Sequence, residues 1–118
     1  MKVRYLSQPT VASIKVGQVL YYAHGLGAGS FVKEGIVVRE PYTPILESCG
    51  PFIDVQETSQ YGTYVNNWSL KDMSVVPNTY NQHKCFYHKA DAEQYVLKCK
   101  RENIDLEISY RFNLYIGY

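Results

Sequence analysis

Gln18-Val19-Leu20-Tyr21-Tyr22-Ala23-His24, opened by Gly17, decides the architecture of this chain. In an extended segment Val19, Tyr21 and Ala23 fall on one side, and Leu20, Tyr22 and His24 on the other. Both sides carry bulk, so the segment reads as a central β-strand covered on both faces. Gly25-Leu26-Gly27-Ala28-Gly29-Ser30 follows. Its alternating glycines allow positive φ and read as a mobile inter-strand loop. Phe31 to Glu40 is the next strand, with a bulge or bend expected at Gly35 and an end at Pro41 and Pro44.

Working outward, Lys2 to Leu6 reads as a short strand before Ser7-Gln8-Pro9. Downstream, Phe52 to Glu57 alternates with Ile53 and Val55 inward, Ser59 to Gly62 turns, and Thr63 to Trp68 returns, which is a hairpin. Ser69-Leu70-Lys71-Asp72 has the Ser-x-x-Asp pattern that caps a helical turn. A single turn is expected, because Val75-Val76-Pro77 reads extended again. Lys84 to Tyr87 reads as another short strand.

A helix is expected over about 89–102, because Ala92, Tyr95, Val96 and Cys99 share one face. Asp91 and Glu93 near its start and Lys98, Lys100 and Arg101 near its end complement the macrodipole. Asn103 reads as its stop. Beyond it, Ile104, Leu106, Ile108, Tyr110, Phe112, Leu114 and Ile116 alternate with Asp105, Glu107, Ser109, Arg111, Asn113 and Tyr115. That period of two predicts a long strand over about 104–116. Such a strand exceeds the usual length of ~5–6 residues and has to bend, project or pair with another chain. Ile104, Leu106, Ile108, Tyr110 and Phe112 are therefore the expected interface of a homodimer, paired about a two-fold axis.

The chain has 118 residues and reads as one domain, 1–118, with a barrel-like core over about 12–80. A formal net charge of +1 supplies no basic surplus for nucleic acid. Twelve tyrosines suit strands and binding surfaces. Three widely spaced cysteines, Cys49, Cys85 and Cys99, point to free thiols in a reducing, cytoplasmic setting. No apolar h-region opens the sequence, and no apolar run approaches the ~20 residues that span a bilayer, so no membrane partner is expected.

From Gly17 to Leu97 the order of elements resembles small SH3-like barrels. The matching points are Val16 to Tyr22, the glycine-bearing loop, Val32 to Arg39, the hairpin from Phe52 to Trp68, the turn from Ser69 to Met73 and the short Val75-Val76. The resemblance implies binding of peptides, proteins or nucleic acids rather than catalysis. The expected fold is mainly β with one α-helix: an SH3-like small barrel or a strongly bent antiparallel sheet, then the helix and the long strand. In general type, a small free-standing Tyr-rich chain, it also resembles accessory proteins of bacterial viruses, which would act inside the host cell.

Candidate chemistry is sparse. The loop from Gly25 to Ser30 lacks the third glycine of G-x-G-x-x-G and the Gly-Lys-Ser/Thr ending of a P-loop. His83, Cys85 and His88 suggest a metal. In an extended piece, however, His83 and Cys85 share a face and His88 takes the other, so no metal or other cofactor is expected. Cys99 lies on the apolar helix face, Cys49 is the more exposed thiol, and neither shows a base, so no catalytic residue is assigned. The binding candidates are Tyr21, Tyr22, His24, Tyr61, Tyr64 and Trp68, which the barrel would gather, with Gly27 from the loop and Arg39 or Lys33 adding charge. The leading reading is a non-enzymatic module that binds a protein partner and self-associates, a phage accessory protein acting against a host function. The second is a nucleotide or short nucleic-acid binder using the aromatics and the glycine loop; the third is a small enzyme.

Overall fold

The central-strand reading of 18–24 is met in the computed structural model, which describes residues 7–44, 50–76 and 83–115, with side chains described to residue 102. Strand β1 (Val19–His24) pairs antiparallel with β2 (Phe31–Tyr42) on one side and with β5 (Lys84–Phe86) on the other. The hairpin forms as expected from β3 (Phe52–Ser59) and β4 (Gly62–Ser69), joined by Gln60-Tyr61. All five strands make one antiparallel sheet, ordered β4-β3-β2-β1-β5, and helix α1 (Lys89–Tyr115) follows it. The architecture is mainly β with one C-terminal helix.

Alternation sorts the core into two clusters. Leu20, Tyr22, Val37, Ile53, Val55, Trp68 and Cys85 face one way and meet Ile14, Leu70 and Met73. Each Leu, Ile or Val fully buried here is worth about 1.5–3 kcal/mol. On the opposite face Ala23 and Phe86 pack against Ala92, Tyr95 and Val96 of α1, with Tyr21, Val32 and Cys99 partly buried around them. The i, i+3, i+4, i+7 face read from the sequence is the face that docks. Among the described residues no helix is long and apolar enough to cross a membrane.

The sheet does not close into a barrel, since β4 and β5 remain its two edges. The strand that would have ended a barrel core, Val75-Val76, is instead the close of the turn after β4: both amides donate to the Leu70 carbonyl, at 2.9 and 3.2 Å. The Ser-x-x-Asp cap is present, with Asp72 N–H donating to Ser69 Oγ at 3.2 Å.

β2 serves two half-sheets. Residues 31–36 pair with β1 and residues 36–42 with β3, so Ile36 alone belongs to both ladders. The irregularities of β2 fall at two register shifts against β3, between Val37 and Arg39 and between Arg39 and Tyr42, and not at Gly35, which sits in regular register opposite Leu20. The strand also runs through Pro41 to Tyr42.

The glycine loop is folded rather than open. Gly27–Gly29 is a single 3-10 turn resting against α1. Ser30 Oγ donates to the Gly27 carbonyl at 2.6 Å and accepts from the Leu26 amide at 2.9 Å, which closes the loop on itself.

The expected C-terminal strand is helix. α1 continues past Asn103 to Tyr115, so Ile104, Leu106, Ile108, Tyr110 and Phe112 lie on a helix and cannot form a strand-paired interface. Nucleation sets the outcome. A helix already begun at Lys89 gains one hydrogen bond per residue added, and 103–115 contain neither Gly nor Pro to stop it. The expected strand from Lys2 to Leu6 and Cys49 lie outside the described residues.

Candidate functional site

Tyr22 and His24 alternate on the core face of β1, and antiparallel register sets Lys33 opposite Tyr22 and Phe31 opposite His24. The result is a stack of three near-parallel rings. Tyr22 and His24 lie 3.8 Å apart at 3°, and His24 and Phe31 lie 4.4 Å apart at 10°. Trp68, brought in by β4, meets Tyr22 edge-on at 5.4 Å and 83°. His83, just before β5, lies 5.9 Å from Tyr22 and 5.4 Å from His24. Its Nδ1 accepts the Gly25 amide at 3.0 Å. Phe31 is the outer ring and is 42% exposed.

The stack is uncharged near neutral pH. Burial, Lys33 and His83 push His24 down to about 4, against a smaller opposing pull from Glu57. Its Nε2 is buried with no hydrogen-bond partner among the described residues. Burial, then Asp72 and Cys85, push Tyr22 up to about 12, and burial pushes the Cys85 thiol up to about 12. Cys85 is therefore a buried neutral thiol rather than a nucleophile.

Beside the stack, the two half-sheets part. The β2–β3 ladder begins at Ile36 opposite Gln56, so β2 before Ile36 and β3 after Gln56 diverge. A cleft of about 310 Å³ opens between them, lined among others by Lys33, Gly35, Glu57, Thr58 and Tyr64. Glu57 continues the inward alternation of Ile53 and Val55, which forces a carboxylate to a position only 5% exposed. Its Oε2 accepts from Trp68 Nε1–H and from Asn66 Nδ2–H, each at 3.0 Å. Its Oε1 faces Lys33 Nζ at 3.8 Å. Burial of a charge is tolerated only with such partners.

The structure thus brings together Tyr22, His24 and Trp68, with Tyr64 in the adjoining cleft at 45% exposure. It does not gather the rest. Tyr21 turns to the opposite face, partly buried beneath α1, where burial and then Glu34 raise its pKa. Tyr61 stands at the hairpin tip, 89% exposed. Arg39 lies over the Tyr42 ring at 3.6 Å, and the Tyr42 hydroxyl donates to Asp54 Oδ1 at 2.7 Å. Gly27, at φ +64°, belongs to the turn against α1. The amides of Gly25, Leu26, Gly29 and Ser30 are all spent on acceptors within the protein. They form no ready cradle for phosphate.

Cys85 lies in the first core cluster and His83 meets the rings on that face, as alternation requires. No cluster of three or more metal-ligating residues is assembled among the described residues. Phe31 and Glu57 are the members of this site that sequence reasoning missed. The signal for Glu57 was its place two residues after Val55 on the inward side.

No curated protein and no solved structure matches the chain. A protein-family model described as "Phage g100-like protein" matches residues 9–99, which take in all five strands, the ring stack, the cleft and the docking face of α1. With a match over most of its length, the chain belongs to the phage g100-like protein family.

Proposed function

We propose that this phage-family protein is a non-enzymatic accessory module. It binds a protein partner through the face that carries the Tyr22–His24–Phe31 stack and the neighbouring cleft, and in a phage such binding serves to interfere with a host function. The observation that carries the reading is the half-exposed ring of Phe31 at the end of a pre-assembled stack. Aromatic anchors held rigid before binding lose little entropy on contact and supply much of an interface's energy. The charges around the cleft are Lys33, Glu34 and Glu57, a negative balance that opposes a phosphate backbone. The committed amides of the glycine loop argue the same way.

The test is capture from the native host with the parent protein and with Phe31→Ala, both proteins and small molecules in the eluate being identified. A host protein retained by the parent and lost with the folded variant supports the reading. Equal capture by both, or recovery of a nucleotide or nucleic acid in place of a protein, overturns it.

A further inference from the structure

We infer that the cleft between the half-sheets receives one arginine side chain of the partner, with Glu57 as the carboxylate that pairs with its guanidinium. This rests on reading that face as the contact surface. Four observations converge on it. First, Glu57 is a buried carboxylate lining an open cavity, an arrangement that costs desolvation and needs a cation to offset it. Second, its two oxygens are unequally served. Oε2 accepts two hydrogen bonds at 3.0 Å, while the contact of Oε1 among the described residues is the Lys33 ammonium at 3.8 Å. Oε1 therefore keeps acceptor capacity for a donor at closer range.

Third, the cavity's size fits a side chain. At about 310 Å³ it stands at the low end of the range for ligand pockets, too small for a folded element or a large cofactor. Fourth, the walls suit a planar cation. Tyr64 offers a half-exposed ring on one side, and guanidinium groups stack on such rings while donating in plane. Lys33 is itself half exposed and held loosely, so it can swing into solvent as the arginine enters. An arginine exchanges that long ion pair for charge-assisted hydrogen bonds to Oε1.

Trp68 is the only tryptophan, and its indole N–H ends on Glu57, so the site carries its own reporter. The indole N–H resonance is followed while Nα-acetyl-arginine amide is added at fixed ionic strength. Nα-acetyl-lysine amide and the neutral Nα-acetyl-glutamine amide serve as comparisons. The expected result is a saturable shift with the arginine probe, at least about tenfold weaker binding of the lysine probe, and no saturation with the glutamine probe. Glu57→Gln, which keeps an acceptor for Trp68, is expected to weaken arginine binding by at least about tenfold. Should that variant fail to fold, Tyr64→Ala at its exposed position is expected to weaken it severalfold. An arginine shift no different from that of glutamine, equal binding of lysine, or binding unchanged in the folded variants overturns the inference. Loss of the arginine effect with Phe31-dependent capture intact sinks the inference alone, whereas Phe31-independent capture sinks the contact-surface reading itself.

Discussion

The far edge of the Trp68 ring lies directly on Gly35. A Cβ built at Gly35 would stand 2.8 Å from Trp68 Cη2, 2.9 Å from Cζ2 and 3.0 Å from the Val55 Cβ. The glycine is there because the indole crosses over the β2 backbone, not because the strand bends. Trp68 cannot easily retreat, because its Nε1–H, one ring atom away from Cζ2, is hydrogen-bonded to Glu57. Gly35→Ala is therefore expected to destabilise the protein by about 1–3 kcal/mol through overpacking. Urea unfolding followed by tryptophan fluorescence measures it. A loss under roughly 0.5 kcal/mol, the scatter of ordinary surface changes, would show that the ring has room to move.

The indole N–H of the same ring supports the buried carboxylate. Trp68→Phe keeps an aromatic body but removes the Nε1–H that Glu57 Oε2 accepts. Losing a hydrogen bond to a buried charge costs about 1.5–3 kcal/mol. In a double-mutant cycle with Glu57→Gln the two effects are expected to be coupled by at least about 0.5 kcal/mol, as for residues in direct contact. Additive losses would mean that Trp68 acts only by filling space.

How much of this was legible in the sequence depends on the kind of signal. The bulk on both sides of Leu20–Ala23 and the spacing of Ala92, Tyr95, Val96 and Cys99 were readable, because each reports local burial periodicity. The ring stack was half readable. Tyr22 and His24 share a face by alternation, but Phe31 joins them only through the β1–β2 register, which a loop of undetermined conformation conceals. Glu57 shares the inward side of its strand with Val55, but that signal is easily passed over because a carboxylate near a strand end ordinarily marks a solvated face. The stretch from Ile104 to Ile116 misled for a physical reason. Alternation says nothing of the element that precedes it, and the helix begun at Lys89 propagates through the segment at one hydrogen bond per residue.

His24 gives the protein a pH signature. Its imidazole titrates near 6.5 in an unfolded chain but is held down to about 4 in the fold. Between those values the unfolded chain binds a proton that the folded protein refuses, so stability is full above pH 6.5 and falls as pH drops toward 4. His83, also lowered by burial, acts in the same direction. The charged groups that act on His24 are Lys33, His83 and Glu57, of which Glu57 opposes the shift. His24→Phe keeps a ring between Tyr22 and Phe31 and removes both the titration and the buried Nε2. The variant is expected to gain stability relative to the parent as pH falls from 7 to 4, read from melting temperatures at matched ionic strength. A difference that does not change with pH would show that His24 is protonated as readily in the fold as in solution.

The extended helix is the sharpest divergence between pattern and structure, and it is open to a direct test. Ile108 sits well inside α1, nineteen residues past its first residue Lys89 and seven before its last, Tyr115. Proline there removes one backbone donor, clashes with the carbonyl four residues earlier and costs about 3 kcal/mol in a helix interior. The docking face of α1 lies between Ala92 and Cys99, a turn or more upstream, so the damage is expected to stay local. Far-UV circular dichroism of Ile108→Pro should show reduced helical signal at 222 nm, with the near-UV signature of Trp68 unchanged. Were the segment a strand, the substitution would leave the helical signal intact, and that result would restore the period-two reading. Loss of both signals together would mean that the far end of α1 is coupled to the sheet after all, through contacts beyond its docking face.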